Sequence, residues 1–348
     1  NLVNKKINVH IYQKKKIISF SNNRTLGISK NNFDFFEKEI LPFKKKIFWE
    51  IKKIEIFSEK LKYDKILNFE KNNKNLFYMI KNYELYKLLN NNLLKSNFFK
   101  KIQINNNNFY PKILKKNNYD LIINCDDKNF FAKKYFFKKI DKDYFNFAYT
   151  TILDHEKLRN NKATQIFTEF GPIAFLPISK TQTSVVCSLD IKNKEYNKRD
   201  IYDLIKKHNP KLKIKNYFEL NRFKLKSSSL RNYYHDNILA FGDSLHRVHP
   251  LAGQGFNMTI RDINILSRII QERIDLGLQL DSFILKEFEN KTKHMNFIFS
   301  SGIDFIYEFF NFDKKINNKK LTKTLRFFGN NKMLKDTFIK FADLGFRA

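Results

Sequence analysis

Residues that cross-link or interrupt a chain are scarce in this sequence, which has two cysteines, six prolines and nine glycines among 348 residues. Cys125 and Cys187 are too few for a disulfide framework, so we expect a reducing compartment. All apolar runs fall short of the roughly 18 residues that a spanning helix needs, and no signal peptide is visible at the start. The sequence therefore predicts a soluble protein on the cytoplasmic side of the membrane.

Acidic side chains are also few, with 35 Asp and Glu against 66 Lys and Arg and a formal net charge of +31. Lysine, asparagine, isoleucine and phenylalanine are abundant throughout, as AT-rich codon usage produces. Hydrophobic residues make up 42% of the chain, which is enough apolar material to exclude a disordered polycation. No helix-turn-helix, zinc-finger or RNP pattern accompanies the charge, so nucleic acid is disfavoured as a partner.

One basic stretch near the end of the chain is also amphipathic. Residues 313–340 contain nine Lys or Arg, and apolar side chains such as Leu325 and Phe328 are interleaved with them. Such a segment forms either a solvated helical face or a surface that contacts an anionic membrane. The sequence leaves both interpretations open.

Hydrophobic periodicity predicts both strands and helices. Residues 119–125 form a continuous apolar run typical of a buried parallel strand, and residues 238–241 form a second one. Between them, residues 164–189 alternate in short segments separated by turns, which predicts antiparallel hairpins. Residues 217–225 are predicted to form a further strand.

A long helix is predicted after the second buried strand, because apolar residues from Ile260 to Ile274 recur on one side. Gly277 is expected to end this helix in a left-handed conformation. A final helical region rich in phenylalanine is expected to begin at Asp281 or Ser282.

The most informative segment follows the second buried strand. That strand ends at Gly242, where a Cβ would obstruct a ligand, and Asp243 then occupies the carboxyl end, where open α/β sheets bind ligands. Its carboxylate can accept hydrogen bonds from sugar or polyol hydroxyls. Gly253, Gln254 and Gly255 begin the next helix, where free amides and the helix dipole favour an electron-rich carbonyl edge.

Each half of this segment also has an ordinary explanation, since Gly-Asp is a common turn and Gly-Gln-Gly a common helix start. Their order and spacing together favour a ligand site. His246 and His249 have the spacing of two metal ligands, but no cysteine or acidic cluster completes such a site, so we expect no metal.

The whole segment resembles the second flavin motif of the class A flavoprotein aromatic hydroxylases, in which Gly-Asp precedes His-Pro and Gly-Gln-Gly. The run from His249 to Asn257 is most similar to the ubiquinone-biosynthesis hydroxylases. Three weaker similarities occur in the expected order along the chain, at Arg24 and its neighbours, at residues 167–178 and at residues 344–346.

The resemblance implies an α/β fold like that of p-hydroxybenzoate hydroxylase. In that fold an FAD- and NAD(P)-binding Rossmann-like domain carries an inserted antiparallel β-sheet substrate domain and C-terminal helices. We place the discontinuous flavin domain at residues 1–45, 76–140 and 236–280. The remaining divisions are the substrate domain at residues 46–75 and 141–235 and the C-terminal helical region at residues 281–348.

The resemblance also implies roles for residues of the motif. Asp243 would bind the ribityl hydroxyls of FAD, and the glycine-rich helix start would line the pyrimidine side of the isoalloxazine through its backbone. Pro250 and Leu251 would lie beside the ring where substrate approaches. The residues expected to bind the cofactor are Arg24, Asp243, Pro250, Gly253, Gln254, Gly255, Phe256 and Asn257. The sequence identifies no catalytic base.

The beginning of the chain departs from the family pattern. No glycine precedes Gly27, so the first strand and the Gly-x-Gly-x-x-Gly phosphate loop are missing. Because the chain also starts with Asn1, we expect a fragment that lacks on the order of 25–30 residues. Gln13 stands where an acid normally ends the second strand, and it is a weaker candidate for cofactor binding.

A second departure follows the strand at residues 119–125. Asp126 and Asp127 replace the Asp-Gly of the family, and Asp126 is a second weaker candidate for cofactor binding. The added carboxylate is unfavourable near a pyrophosphate unless Lys128 or Lys133 screens it.

The resemblance implies an FAD-dependent monooxygenase that hydroxylates the aromatic ring of a polyprenylated phenol in ubiquinone biosynthesis. NADH or NADPH would reduce the flavin, and O2 would give a flavin hydroperoxide whose distal oxygen is transferred. A membrane-dissolved substrate favours peripheral contact with the inner face of the membrane or with a quinone-biosynthesis complex. The alternatives are a hydroxylase of a small soluble aromatic and a non-catalytic accessory subunit of such a complex.

Overall fold

The computed structural model describes residues 1–14, 24–42, 47–59, 64–70, 75–104, 109–116, 118–191, 195–249 and 253–316. The earlier strands are β1 (Val9–Lys14), β2 (Thr25–Ser29), β3 (Trp49–Ile51), β4 (Lys53–Ser58), β5 (Asp64–Glu70), β6 (Phe77–Lys81), β7 (Phe99–Ile104) and β8 (Ile122–Asn124). The later strands are β9 (Lys139–His155), β10 (Lys162–Thr168), β11 (Gly171–Pro177), β12 (Gln182–Asp190), β13 (Ile214–Tyr217), β14 (Asn221–Leu230), β15 (Tyr234–His235), β16 (Ile238–Ala240) and β17 (His246–Arg247). The helices are α1 (Lys30–Phe35), α2 (Asn82–Leu93), α3 (Phe109–Lys116), α4 (Phe130–Tyr135), α5 (Lys198–Lys207), α6 (Gln254–Asp275) and α7 (Ser282–Ile316).

The large sheet has nine strands in the described part of the chain, in the order β17-β14-β9-β12-β11-β10-β4-β5, with β13 also paired to β9. The hairpins β10–β11 and β11–β12 are antiparallel, which confirms the prediction for residues 164–189. One neighbouring pair, β4 and β10, runs parallel, and β4 comes from a much earlier part of the chain. The single strand predicted at residues 217–225 is wrong, since β13 ends and β14 begins within it.

Two short parallel pairs form separate small sheets. β1 pairs with β7, and β8 pairs with β16, whose other neighbour is β15. Both predicted strands are present and parallel, and Asn124 lies opposite Ala240 at their carboxyl ends. β16 is buried as predicted, but the prediction of a buried strand over residues 119–125 is wrong in part: β8 is shorter, and its Ile123 is 37% exposed because β8 is the edge strand of its small sheet. The Phe241 amide donates to the Asn124 carbonyl at 2.9 Å and extends the pairing by one residue. The segments that follow β8 and β16 therefore emerge at the same edge.

A third small sheet, in the order β2-β6-β3, packs against α1, α2 and the start of α6. Ile28 of β2, Phe33 of α1 and Ile80 of β6 share a buried core with Ile260 of α6. The first turns of α6 therefore have a fixed position relative to β2, although more than 200 residues separate them in sequence.

Helix α6 ends as predicted, with Gly277 just beyond it in the left-handed region at φ +65°. The next helix, α7, begins at Ser282, and the Asp281 carboxylate accepts a hydrogen bond from the Phe283 amide at 3.0 Å. Ile270 of α6 and Phe288 of α7 belong to the core that covers β16, so the two helices hold that strand from one side. Among the described helices, none is long and apolar enough to cross a membrane.

Candidate functional site

The turn after β16 brings a carboxylate to the carboxyl edge of the parallel pair. Gly242 adopts φ +62°, which a residue with a Cβ rarely takes, and the Leu245 amide donates to its carbonyl at 2.9 Å. Asp243, one residue later, is exposed at the tip of this turn. It lies within electrostatic reach of Cys125, which directly follows β8. The carboxylate is therefore placed at the edge where the sequence predicts a ligand.

Residues 242–249, which we call the motif loop, are tied to the core through His246. Its Nε2 atom lies 2.6 Å from Oδ2 of Asp262 in α6, and both side chains are 1% exposed. Asn296 of α7 donates to the other carboxylate oxygen of Asp262 at 3.2 Å. The backbone of the same part of the loop pairs with β14 at Ser228 and Ser229. The loop is thus fixed between α6, α7 and the large sheet.

His249, at the end of the motif loop, packs between two tyrosines. Its ring is stacked on Tyr307 of α7 at 4.5 Å and meets the edge of Tyr144 of β9 at 4.7 Å between ring centroids. The Tyr144 hydroxyl donates to Asp304 of α7. Burial, with a contribution from Lys142, lowers the pKa of His249 to about 3. The imidazole is therefore neutral at physiological pH and belongs to an aromatic cluster between the large sheet and α7.

The beginning of α6 is open on the side away from the core. Gly253 precedes the helix at φ +64°, and a Cβ built there would meet no atom within 4 Å. A Cβ on Gly255 would approach only Val248, at 3.6 Å. Two buried oxygen atoms near this start, Oε1 of Gln254 and Oγ of Ser244, have no hydrogen-bond partner among the residues that the structure describes. Free amides, vacant space and orphaned polar atoms thus coincide here.

Asn257 joins the start of α6 to β2. Its Oδ1 accepts hydrogen bonds from the Ser29 amide and from Nδ2 of Asn32, both at 2.9 Å. Its Nδ2 donates to the carbonyl oxygens of Gly27 at 2.8 Å and Gly253 at 3.2 Å. These protein partners occupy both polar atoms of the side chain. The contribution of Asn257 is therefore to hold the Gly253 backbone against the strand that follows Arg24.

The two aspartates after β8 have different partners. Oδ1 of Asp126 accepts the Lys128 amide at 2.9 Å and so closes its own turn. Oδ2 of Asp127 lies 3.0 Å from the guanidinium of Arg247 in β17, and the two side chains are 37% and 41% exposed. From the sequence, Lys128 or Lys133 was expected to screen the added carboxylate of Asp127. Its cationic partner is instead an arginine of the motif loop.

The other residues predicted to bind the cofactor lie outside the motif loop or outside the described residues. Arg24 is exposed directly before β2, and its carbonyl accepts the Asn82 amide at 2.9 Å. Gln13 lies near the end of β1 opposite Gln103 of β7, and no hydrogen bond among the described residues joins it to the motif loop. Pro250 and Leu251 lie outside the described residues, as do residues 344–346.

The arrangement fits the flavin part of FAD on its own features. An exposed carboxylate at the strand end can accept hydrogen bonds from a polyhydroxylated chain, as Asp243 would from ribityl. The bare helix start at Gly253 offers amide donors and the positive end of a dipole to a carbonyl edge. The vacant space beside Gly253 permits a flat ring to approach the backbone.

Comparison with known proteins agrees with this interpretation. Residues 146–275 match the family model described as "FAD binding domain". The resemblance to flavoprotein hydroxylases is thereby confirmed. The Escherichia coli 3-demethoxyubiquinol 3-hydroxylase is 31% identical over 149 residues, which are 41% of this chain and 38% of that protein. The Dictyostelium discoideum ubiquinone biosynthesis monooxygenase COQ6 is 26% identical over 202 residues, which are 47% of this chain and 40% of that protein. The chain thus matches about two fifths of the length of each relative.

Solved structures give the fold over nearly the whole chain. The p-nitrophenol 4-monooxygenase PnpA of Pseudomonas putida has a TM-score of 0.76 at 10% identity, with 99% of this chain and 94% of that chain covered. A variant of Klebsiella pneumoniae HpxO, complexed with FAD, has a TM-score of 0.70 at 10% identity, with 99% of this chain and 95% of that chain covered. The expected p-hydroxybenzoate-hydroxylase-like fold is therefore confirmed.

Sequence reasoning missed the groups that hold the site in shape. Asp262 binds His246, Asn296 binds Asp262, and Asn32 binds Asn257, but no sequence pattern indicates these pairings. A buried aspartate eight residues into an apolar helix was the only available signal, because such a carboxylate requires a buried donor.

Proposed function

We propose that this protein is an FAD-dependent monooxygenase that hydroxylates the aromatic ring of a polyprenylated phenol in ubiquinone biosynthesis, with NADH or NADPH and O2 as co-substrates. The proposal is carried by the exposed Asp243 carboxylate at the end of β16 and the open start of α6 at Gly253; a Cβ built at Gly242, beside Asp243, would lie 3.8 Å from Thr259 of that helix. The division into the flavin, substrate and C-terminal segments given above is part of the same proposal.

Each group at the site has a defined part in this proposal. Asp243 binds the ribityl hydroxyls of FAD, and Gln254, Gly255 and Phe256 present their backbone to the pyrimidine side of the ring. Asn257 holds that backbone in position through the Gly253 carbonyl. FAD, when bound, supplies the redox chemistry and the activation of O2. The protein orients the phenol ring and excludes water from the reaction.

Arg24 and Pro250 complete the proposed flavin pocket, on the strength of the family resemblance. Arg24 directly precedes β2, and the hydrogen bonds of Asn257 to Gly27 and Ser29 join that strand to the start of α6, which supports this role. Thr25 of the same strand donates to Ser184 of the large sheet at 2.9 Å, so the pocket and the substrate sheet meet there. Gln13 and Asp126 remain weaker candidates, toward the adenosine and pyrophosphate end.

The substrate class is supported by the names of the relatives rather than by a pocket. Both relatives described above are named for ubiquinone biosynthesis or for a demethoxyubiquinol. Such a phenol carries an apolar isoprenoid tail and resides in the membrane, so a membrane-associated enzyme reaches it most directly. The basic segment proposed to make this contact, residues 313–340, lies beyond the side chains that the structure describes.

The proposal is tested on the natural polypeptide, with any residues that precede Asn1 included. We expect the purified protein to bind FAD, and NADH or NADPH to bleach the flavin absorbance in the absence of air. With O2 and a prenylated phenol, mass spectrometry should detect a product heavier by one oxygen atom. A small benzoate tested in parallel should not be hydroxylated.

Asp243→Asn should weaken FAD binding about tenfold, because a neutral amide accepts hydroxyl donors less strongly than a carboxylate. Asp141→Asn is the matched control, since Asp141 is an exposed carboxylate on β9 that pairs with Lys139. FAD affinity equal in the two variants would contradict the assignment of Asp243. A protein that binds FAD but never oxidises NADH or NADPH would support the accessory-subunit alternative.

A further inference from the structure

Three carboxylates follow the edge where β8 and β16 end. Asp126 and Asp127 follow β8, and Asp243 follows β16, at the same end of two paired parallel strands. Any phosphate-bearing ligand bound outside this edge would meet three carboxylates. Two unit charges about 4 Å apart repel by about 1 kcal/mol in water and about 4 kcal/mol near a protein surface.

The motif loop supplies a cation at this place. Arg247 is the second residue of β17, and its guanidinium lies 3.0 Å from Oδ2 of Asp127. The preceding residue, His246, points into the core toward Asp262, so the alternation of a strand directs Arg247 outward. The backbone of Arg247 is also paired with Ser228 of β14. The backbone from which the Arg247 side chain extends is therefore fixed. The ion pair joins two loops that are 120 residues apart in sequence.

The exposure of the pair argues against a role in stability. Its side chains are 41% and 37% exposed, and ion pairs at such positions contribute roughly 0–1 kcal/mol to folding. Asp126, in contrast, is already used by its own turn through the Lys128 amide. Asp127 is thus the carboxylate at this edge whose charge is offset by a partner from the motif itself.

We infer that Arg247 neutralises Asp127 so that the diphosphate of a dinucleotide cofactor can bind at this edge. The inference rests on the proposed function, because it takes FAD as the dinucleotide. Arg247 acts here through Asp127, as a positioning residue that sets the local charge. Replacing Arg247 should weaken the binding of ligands that carry a diphosphate. The same replacement should have no effect once the Asp127 carboxylate has been removed.

The test is a double-mutant cycle in FAD affinity, measured on the natural polypeptide at low ionic strength. Arg247→Gln should weaken FAD binding about tenfold, because it leaves the Asp127 charge uncompensated. Asp127→Asn combined with Arg247→Gln should restore the affinity to within about twofold of wild type. Asp127→Asn alone should bind FAD at least as well as wild type. Added salt should reduce the defect of Arg247→Gln.

Riboflavin, which carries no phosphate, is the second probe. Its affinity should be the same in wild type and Arg247→Gln, whereas a loop that had lost its shape would bind both flavins less well. Arg222→Gln is the matched control variant, because Arg222 forms a comparable exposed pair with Glu195 at 3.3 Å in the large sheet. It should leave FAD affinity unchanged. Arg247→Lys keeps the charge and should retain most of the affinity.

Two results would overturn the inference. One is an equal loss of FAD affinity in Arg247→Gln and in the double variant, which would make Arg247 a direct contact or a structural support. The other is unchanged FAD affinity in Arg247→Gln. A wild-type protein that binds no FAD would instead refute the proposed function, so the two failures are distinguishable.

Discussion

The motif loop has a buried side and an open side, and the two are built from different contacts. On the buried side, His246 and His249 reach α6 and α7, and their rings are almost completely enclosed. On the open side, Asp243 is exposed and Arg247 is partly exposed, and Arg247 meets its carboxylate partner at the surface. Residues of both kinds alternate within one short stretch of chain.

This difference separates what shapes the loop from what the loop offers to a ligand. Buried polar contacts are costly to break, because the group left behind has neither water nor a partner. Exposed charges contribute little to folding and are available to a ligand. Substitutions on the buried side should therefore lower stability, whereas substitutions on the open side should lower flavin affinity at nearly constant stability.

The largest effect is expected at the buried hydrogen bond between His246 and Asp262. Asp262→Ala should lower the free energy of unfolding by about 3–5 kcal/mol, because it removes a partner of His246 and of Asn296 inside the core. Urea denaturation would measure the loss. Asp275→Ala at the exposed end of the same helix, where the carboxylate accepts a hydrogen bond from Gln271, should cost less than about 0.5 kcal/mol. Equal losses of unfolding free energy in the two variants would contradict the distinction between the buried and open sides.

A smaller effect on the buried side depends on pH. Burial holds the pKa of His249 at about 3, while an unfolded histidine titrates near 6.5. The unfolded chain therefore binds a proton that the folded chain does not, and stability is lost as the pH falls from about 6.5 toward 3. At pH 5 the loss amounts to about 2 kcal/mol.

Among the described residues, the groups around this ring include Tyr144 and Lys142 of β9 and Tyr307 of α7. Burial also lowers the pKa of His208, so the contribution of His249 is measured as the difference between a variant and wild type. His249→Gln should show a shallower decline of unfolding free energy between pH 6.5 and 5 than wild type. Above pH 7 the two slopes should coincide, because a free histidine is already neutral there. Parallel curves over the acid range would indicate that His249 is protonated in the folded protein.

The elements of the site could be predicted from the sequence to the extent that they are local. The apolar runs of β8 and β16 identified two parallel strands, and Gly277 marked the end of α6, because both signals lie within a few residues of the feature. The Gly-Asp and Gly-Gln-Gly spacing predicted the resemblance to flavoprotein hydroxylases, because glycine permits a ligand to approach the backbone closely at those positions.

The contacts that hold the site could not be predicted, because they depend on tertiary structure. The sequence placed Asn257 beside the flavin, but its amide is committed to Gly27, Ser29 and Asn32, about 230 residues earlier. The cation that meets Asp127 was sought among neighbouring lysines, but β17 delivers Arg247 from 120 residues away. The partners of Asn257 and Asp127 can be identified only from the tertiary structure.

The smallest effect is expected on the open side, at the two ends of α6. Gly253 and Gly277 have nearly the same φ, +64° and +65°, and a Cβ at either position would meet no atom within 4 Å. Alanine at each should therefore cost about 1 kcal/mol of unfolding free energy, from backbone strain alone. Only Gly253→Ala should also weaken FAD binding, several-fold in a flavin titration, since its methyl group enters the space beside the helix start. Equal FAD affinity in the two variants would place the flavin elsewhere.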